Sequence, residues 1–212
     1  MKHTIAALTL SLLAVPALAQ AKEAPTSLTP STDAAVTYAV QATGQPSGTM
    51  IIAWNVGAGK VRIDSAMFPG WLLLEQRDQR AFMVVEEQRA YMPLPAEAAA
   101  KAAPRLPAGV QLTEAGTDTV ASQPCTIWKF ASQQEGEGTV CVTDGSLMLR
   151  LEARTPAGQQ VRIEAQTVST SAQDTARFTL PAGYRNMQQA QGQGQPQGQG
   201  QPQGQGQPRP AR

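Results

Sequence analysis

Histidine is almost missing from this 212-residue chain; the one copy is His3. The apolar run that follows it, Ile5 to Val15, is too short for a bilayer-spanning helix, and no later segment is apolar for as long. The basic start at Lys2-His3, the apolar run, Pro16 and the small-x-small Ala17-Leu18-Ala19 have the layout of a secretory signal peptide, with cleavage expected after Ala19. No cysteine stands near that cut for acylation. The mature chain would then contain no histidine, which removes Ser-His-Asp and Cys-His nucleophilic sites and His-ligated zinc.

Cysteine is equally scarce, at Cys125 and Cys141. An even pair in an exported chain points to a disulfide, because such compartments preserve disulfides. The stretch CTIWKFASQQEGEGTVC reads as two β-runs around a Gly-rich polar turn. A hairpin centred on Gln133 would set the two cysteines opposite each other, within bridging distance. A loop of this length is worth roughly 3 kcal/mol in the chain-entropy model. A redox-active dithiol normally has C-x-x-C spacing and a positive environment, and neither is present. Bridged cysteines leave no thiolate for catalysis or metal binding, so no cofactor or metal is expected.

Charge is also sparse and balanced. Without the leader the chain has 16 basic and 16 acidic residues; without Arg209 and Arg212 the remainder is near net −2. No basic stripe exists, which argues against nucleic acid and against strong attraction to anionic lipid. Glu86-Glu87 is the one adjacent carboxylate pair, but neighbours on a strand face opposite ways, so a solvated strand end before a turn is the simpler reading. No spacing of catalytic groups appears, and an enzyme is not expected.

What the chain does contain is β-type alternation. Residues 20–34 read as a flexible Pro/Ser/Thr linker. From 190 onward three QGQGQP hexads and Arg209-Pro210-Ala211-Arg212 have nothing to bury and are expected to be a disordered tail. Between them, 35–189 is long enough for one core. It shows nine to eleven short antiparallel strands in sequence, ending with ARFTL, and one good helix in 93–104. A meander of that length must curl to bury its inner face. The expected fold is mainly β: a curved half-barrel with a short helix as lid.

On this reading Met50, Ile52 and Trp54 share one strand face. Trp71 and Leu73 share another, and Phe82, Val84, Tyr91 and Met92 follow on the next hairpin. Such side chains could line a cavity for an apolar ligand, or could simply pack a core. Trp128 and Phe130 are expected beside the disulfide, Arg150 in solvent, and Tyr184 at the barrel edge through its hydroxyl.

The runs CVTDGSLMLRLEA (141–153) and FTLPAGY (178–184) resemble exported bacterial proteins of the DUF4412 type. These are similar in architecture to the periplasmic lipoprotein carriers and receptors of the LolA/LolB class. The resemblance covers about 35 to 187. It implies an unclosed barrel with an apolar cavity under helices and, for the carriers, binding of lipoprotein acyl chains. This chain offers less helix than those carriers. Two functions follow as expectations: a monomeric periplasmic binder of a lipid or lipoprotein acyl chain, or an envelope protein-interaction module with a solid core.

Overall fold

The computed structural model describes residues 22–102, 105–106, 109–134 and 136–192. The leader and most of the repeat tail lie outside the described residues.

Twelve strands form one open, curved sheet. The first six are β1 (Ala34–Ala42), β2 (Gly48–Asn55), β3 (Lys60–Ser65), β4 (Trp71–Glu75), β5 (Arg80–Val85) and β6 (Ala90–Pro93). After helix α1 (Ala96–Ala102) come β7 (Gln111–Val120), β8 (Gln123–Ser132), β9 (Gly136–Val142), β10 (Met148–Arg154) and β11 (Gln160–Ser169). The chain then adds β12 (Arg185–Asn186) and α2 (Met187–Gly192). The sheet order is β12-β6-β5-β4-β3-β2-β1-β11-β10-β9-β8-β7. The mainly β, unclosed fold is as expected, but it is not one meander. Two meanders, β1–β6 and β7–β11, join where β1 pairs with β11. The strand count passes the expected range because Arg185–Asn186 pairs in parallel with β6.

The alternation that marked each strand sets its two faces. In β1, Ala34, Val36, Tyr38 and Val40 are buried while the residues between them are half-buried. They join Ile52, Trp54, Val61, Ile63, Leu72, Leu74 and Ala81 in the main core, with Leu94, Ala99 and Ala102 of the α1 region against it. The expected lid helix is therefore present, and its small alanines form the contact. Strand β4, WLLLE, is buried on both faces. Its other face carries Trp71 and Leu73, which pack with Ala53, Val84 and Phe178.

Phe178 corrects one element. ARFTL is not a strand: Thr175–Phe178 is a 3-10 turn, started by Asp174, whose carboxylate accepts from the Ala176 N–H at 2.9 Å. Residues 173–184 instead cross the outer face of the first meander as a strap. The stretch read as a flexible linker also packs down, with Leu28 buried against Trp128, Val140 and Val142.

Cys125 and Cys141 are bridged, with Cα atoms 5.5 Å apart. The register differs from the expected one, since Cys141 faces Ile127, so the bridge is diagonal and the turn is centred one residue later than Gln133. Trp128 alternates with Ile127, points away from the disulfide and belongs to the cluster around Leu28.

Glycine sets the tight curl of the second meander. A Cβ on Gly138 would lie 2.1 Å from the Glu152 carbonyl oxygen, and one on Gly136 would lie 1.9 Å from that of Arg154. Phe130 stands directly opposite Gly138 in the ladder.

Candidate functional site

The nine residues singled out as possible ligand contacts do not share one surface. Met50, Ile52 and Trp54 lie in or against the main core. Trp71, Leu73, Phe82, Val84 and Tyr91 lie on the opposite face, in the cluster under the strap. Met92 stands directly across from Met83 and is 37% exposed. The ladder explains the division: Trp54 pairs with Val61 and Val61 with Leu74, whereas Arg62 pairs with Leu73 and Leu73 with Phe82.

Both apolar sets are packed against other side chains of the chain itself. Phe178, 1% exposed, closes the second set. Phe82 and Tyr91 meet edge to face at 6.0 Å. The strap is tied down by polar contacts around this aromatic patch. Arg62 stacks over Trp71 at 3.9 Å, binds the Asp64 carboxylate at 2.8 to 3.1 Å, and donates to the Arg177 carbonyl. Lys60 donates to the Phe178 carbonyl and pairs with Glu75 at 3.0 Å. Burial pushes the Glu75 carboxyl up, but Lys60 and then Arg80 outweigh it and hold it below the usual range.

Glu86 is an exposed strand end before a turn, as expected, but it is not without partners. It opens a 3-10 turn, Glu86–Gln88, and accepts the Tyr184 hydroxyl and, at 2.7 Å, the Trp71 indole N–H. The Tyr184 bond, then the Trp71 bond, holds its carboxyl below the ordinary value, and the same contact raises the Tyr184 hydroxyl. The expected edge role of Tyr184 takes this form.

An open concavity lies elsewhere. A groove of about 1430 Å³ runs over the second meander, between β7 on one side and the ends of β1 and β11 on the other. None of the nine residues lines it. Its walls carry Gln41, Thr113, Lys129, Glu137, Glu152, Arg154 and Arg162. Arg162 pairs with Glu152 and Glu164. No ion pair holds Lys129 or Arg154 among the described residues.

At the disulfide end the second meander is drawn together by Arg150. It binds Asp118 of β7 at 2.7 and 2.8 Å and Glu164 of β11 at 2.9 Å. Arg150 is therefore paired rather than solvated, an outcome its sequence neighbours could not reveal because both partners are distant in sequence. Tyr38, fully buried, donates to the Met148 carbonyl at 2.7 Å, and its burial pushes the hydroxyl pKa up. The Trp54 indole N–H is buried without an acceptor among the described residues. Among those residues no group of His, Cys, Asp and Glu could hold a metal ion, and no helix is long and apolar enough to cross a membrane.

The family model "Domain of unknown function (DUF4412)" matches residues 40–151, more than half of the chain. No curated protein matches in sequence. Among solved structures, an uncharacterized conserved protein from Thermus thermophilus is similar at 11% identity. It covers 74% of this chain and 90% of that one, with a TM-score of 0.54. The complex structure of Pseudomonas aeruginosa MucA/MucB is similar at 14% identity, covering 72% of this chain and 57% of that one, with a TM-score of 0.53. This chain thus spans little more than half of that second chain. A LolA superfamily protein from Nitrosomonas europaea also matches, at 7% identity, over 70% of this chain and 89% of that one, with a TM-score of 0.33.

Proposed function

This chain belongs to the DUF4412 family, and we propose that it is an exported, non-enzymatic envelope protein that holds an extended segment of another protein in the polar groove of its second meander. The observation that carries this reading is the division of surface. The apolar clusters are closed by the chain's own Phe178 and α1, while the large open groove presents peptide-like polarity and both signs of charge. An acyl chain gains nothing from such walls, whereas a polypeptide can satisfy them. The MucA/MucB complex contains a chain of this fold beside a second protein, which agrees with the reading. The disulfide fits export, with the leader removed after Ala19 into a periplasm.

Site-specific photocrosslinking in cells tests it. A photoreactive residue at Thr139, on the groove, should crosslink to a discrete protein partner; one at exposed Met67 should not. Equal labelling at both positions would sink the reading.

A second reading has one observation in its favour. The unpartnered Trp54 N–H is a donor inside the main core. An apolar ligand with a carbonyl or hydroxyl head could meet it if α1 lifted, and Met50 and Ile52 would then line the opening. A lifted strap would likewise expose Trp71, Leu73, Phe82, Val84 and Tyr91 beside Met92. Spin labels reporting displacement of α1 or the strap on adding a fatty acid would favour it; immobility would count against it.

A further inference from the structure

The two ends of the sheet are finished differently. At one end β6 is covered by β12 and α2, so its outer backbone groups are met by the chain itself. At the other end, among the described residues, β7 pairs with β8 only. An uncovered edge is a template for another strand.

Which β7 groups point outward follows from Pro124. It faces Thr119 and has no N–H, so this pair cannot exchange both ladder bonds. The Thr119 N–H is met by the Asp118 carboxylate at 2.7 Å, as expected for a group facing away from β8. Alternation then turns the Thr117 N–H outward. The register shift between Glu114 and Gly116 inserts one residue, and beyond it the outward positions are Glu114 and Leu112. Among the described residues none of these three N–H groups has another backbone partner. The same strand forms a wall of the groove through Gln111 and Thr113. Arg150 holds β7 close to β11 at the Asp118 end, so the opening lies toward Gln111.

We propose that the partner segment binds by adding a strand to the free edge of β7, along Leu112 to Thr117, and that this segment is extended and acidic. The proposal rests on the groove reading above. The acidic character follows from Lys129 and Arg154, which line the groove with no ion-pair partner among the described residues, against a single such carboxylate, Glu137. The chain's own tail is a poor occupant: it carries Arg209 and Arg212 and a proline in each hexad, which breaks a ladder.

The test uses a random peptide library displayed on phage, selected against the mature, disulfide-bonded chain. Selected peptides should be rich in Asp and Glu. Thr117→Pro removes only an outward donor, which an edge strand tolerates, whereas Glu114→Pro also removes the carboxylate that accepts the Lys22 N–H at 3.3 Å. Each should weaken binding about tenfold or more, with melting close to the parent's. Hydrogen exchange on the unmodified protein should show peptide-dependent protection of the Leu112, Glu114 and Thr117 amides, which needs no variant to fold. Peptides lost on Lys129→Glu with Arg154→Glu, yet unaffected by either proline and giving no such protection, would overturn strand addition while leaving the groove reading intact. Failure to select any peptide would overturn both.

Discussion

Replacing Phe178 by alanine should release the strap. Phe178 is 1% exposed and packs on Ala53, Trp71, Leu73 and Val84, so truncation removes the strap's one fully buried side chain. Loss of a buried phenylalanine costs about 3–5 kcal/mol. The remaining ties are half-buried Leu180 and Tyr184 and a few hydrogen bonds: Lys60 and Arg62 to the Phe178 and Arg177 carbonyls, Tyr184 to Glu86, and the Gln173 N–H to Asp33. Such bonds contribute about 0.5–1.5 kcal/mol each, too little to replace it. For a domain of this size 1 kcal/mol moves the melting temperature by roughly 2–4 °C, so a fall of about 10 °C is expected. Fluorescence separates strap release from general loosening. Trp54, Trp71 and Trp128 are all buried, but Trp71 alone lies under the strap. The variant should emit to the red, and the shift should vanish when Trp71 is also replaced by phenylalanine. Thr175→Ala, on the exposed part of the same turn, should do neither. A Phe178→Ala protein that melts with the parent and keeps its emission would refute the assigned role of the strap.

Reducing the disulfide, or replacing both cysteines with serine, should lower stability by about 3 kcal/mol, measured by urea unfolding with and without reductant. Gly138→Val should be destabilising by about 1–3 kcal/mol or more, because its Cβ would meet the Glu152 carbonyl at 2.1 Å and force β9 from β10; a melt compares it with Gly48→Ala, where nothing lies within 4 Å. Acid should loosen the strap before it unfolds the sheet. Glu86 and Glu75 have carboxyls depressed by their partners, so their stabilisation is complete above the unfolded value of roughly 4.3 and is lost as pH falls through the lower folded value. Glu86→Gln should flatten that slope in Trp71 emission between about pH 4.5 and 3.

Local pattern made the strands legible. VTYAVQA and VRIDSAM alternate, and β1 and β3 follow them. The disulfide followed from the compartment and the pairing of two β-runs. Pairing between distant strands was not legible, since nothing local states that β1 joins β11. FTL has strand propensity, but Phe178 is more valuable as a plug over Trp71 than as a ladder member, and tertiary burial prevailed. The partners of Arg150 and Glu86 were not legible, because Asp118, Glu164 and Tyr184 arrive from other strands or from the strap. The groove escaped notice for a related reason. Apolar residues draw attention as ligand contacts, and here the apolar residues are spent on the core while Lys129, Glu137 and Arg154 line the open surface.

The claim at the centre of this account is that the cargo is a polar polypeptide and that the apolar clusters are closed. Native mass spectrometry of the mature chain, purified from a periplasmic extract and followed by solvent extraction, addresses it most directly. The account predicts a protein mass with no lipid, and a peptide or protein adduct lost on Lys129→Glu with Arg154→Glu. A bound lipid or acyl species, retained in that double variant and lost on Trp54→Glu or Trp71→Glu in a protein that still folds, would contradict it.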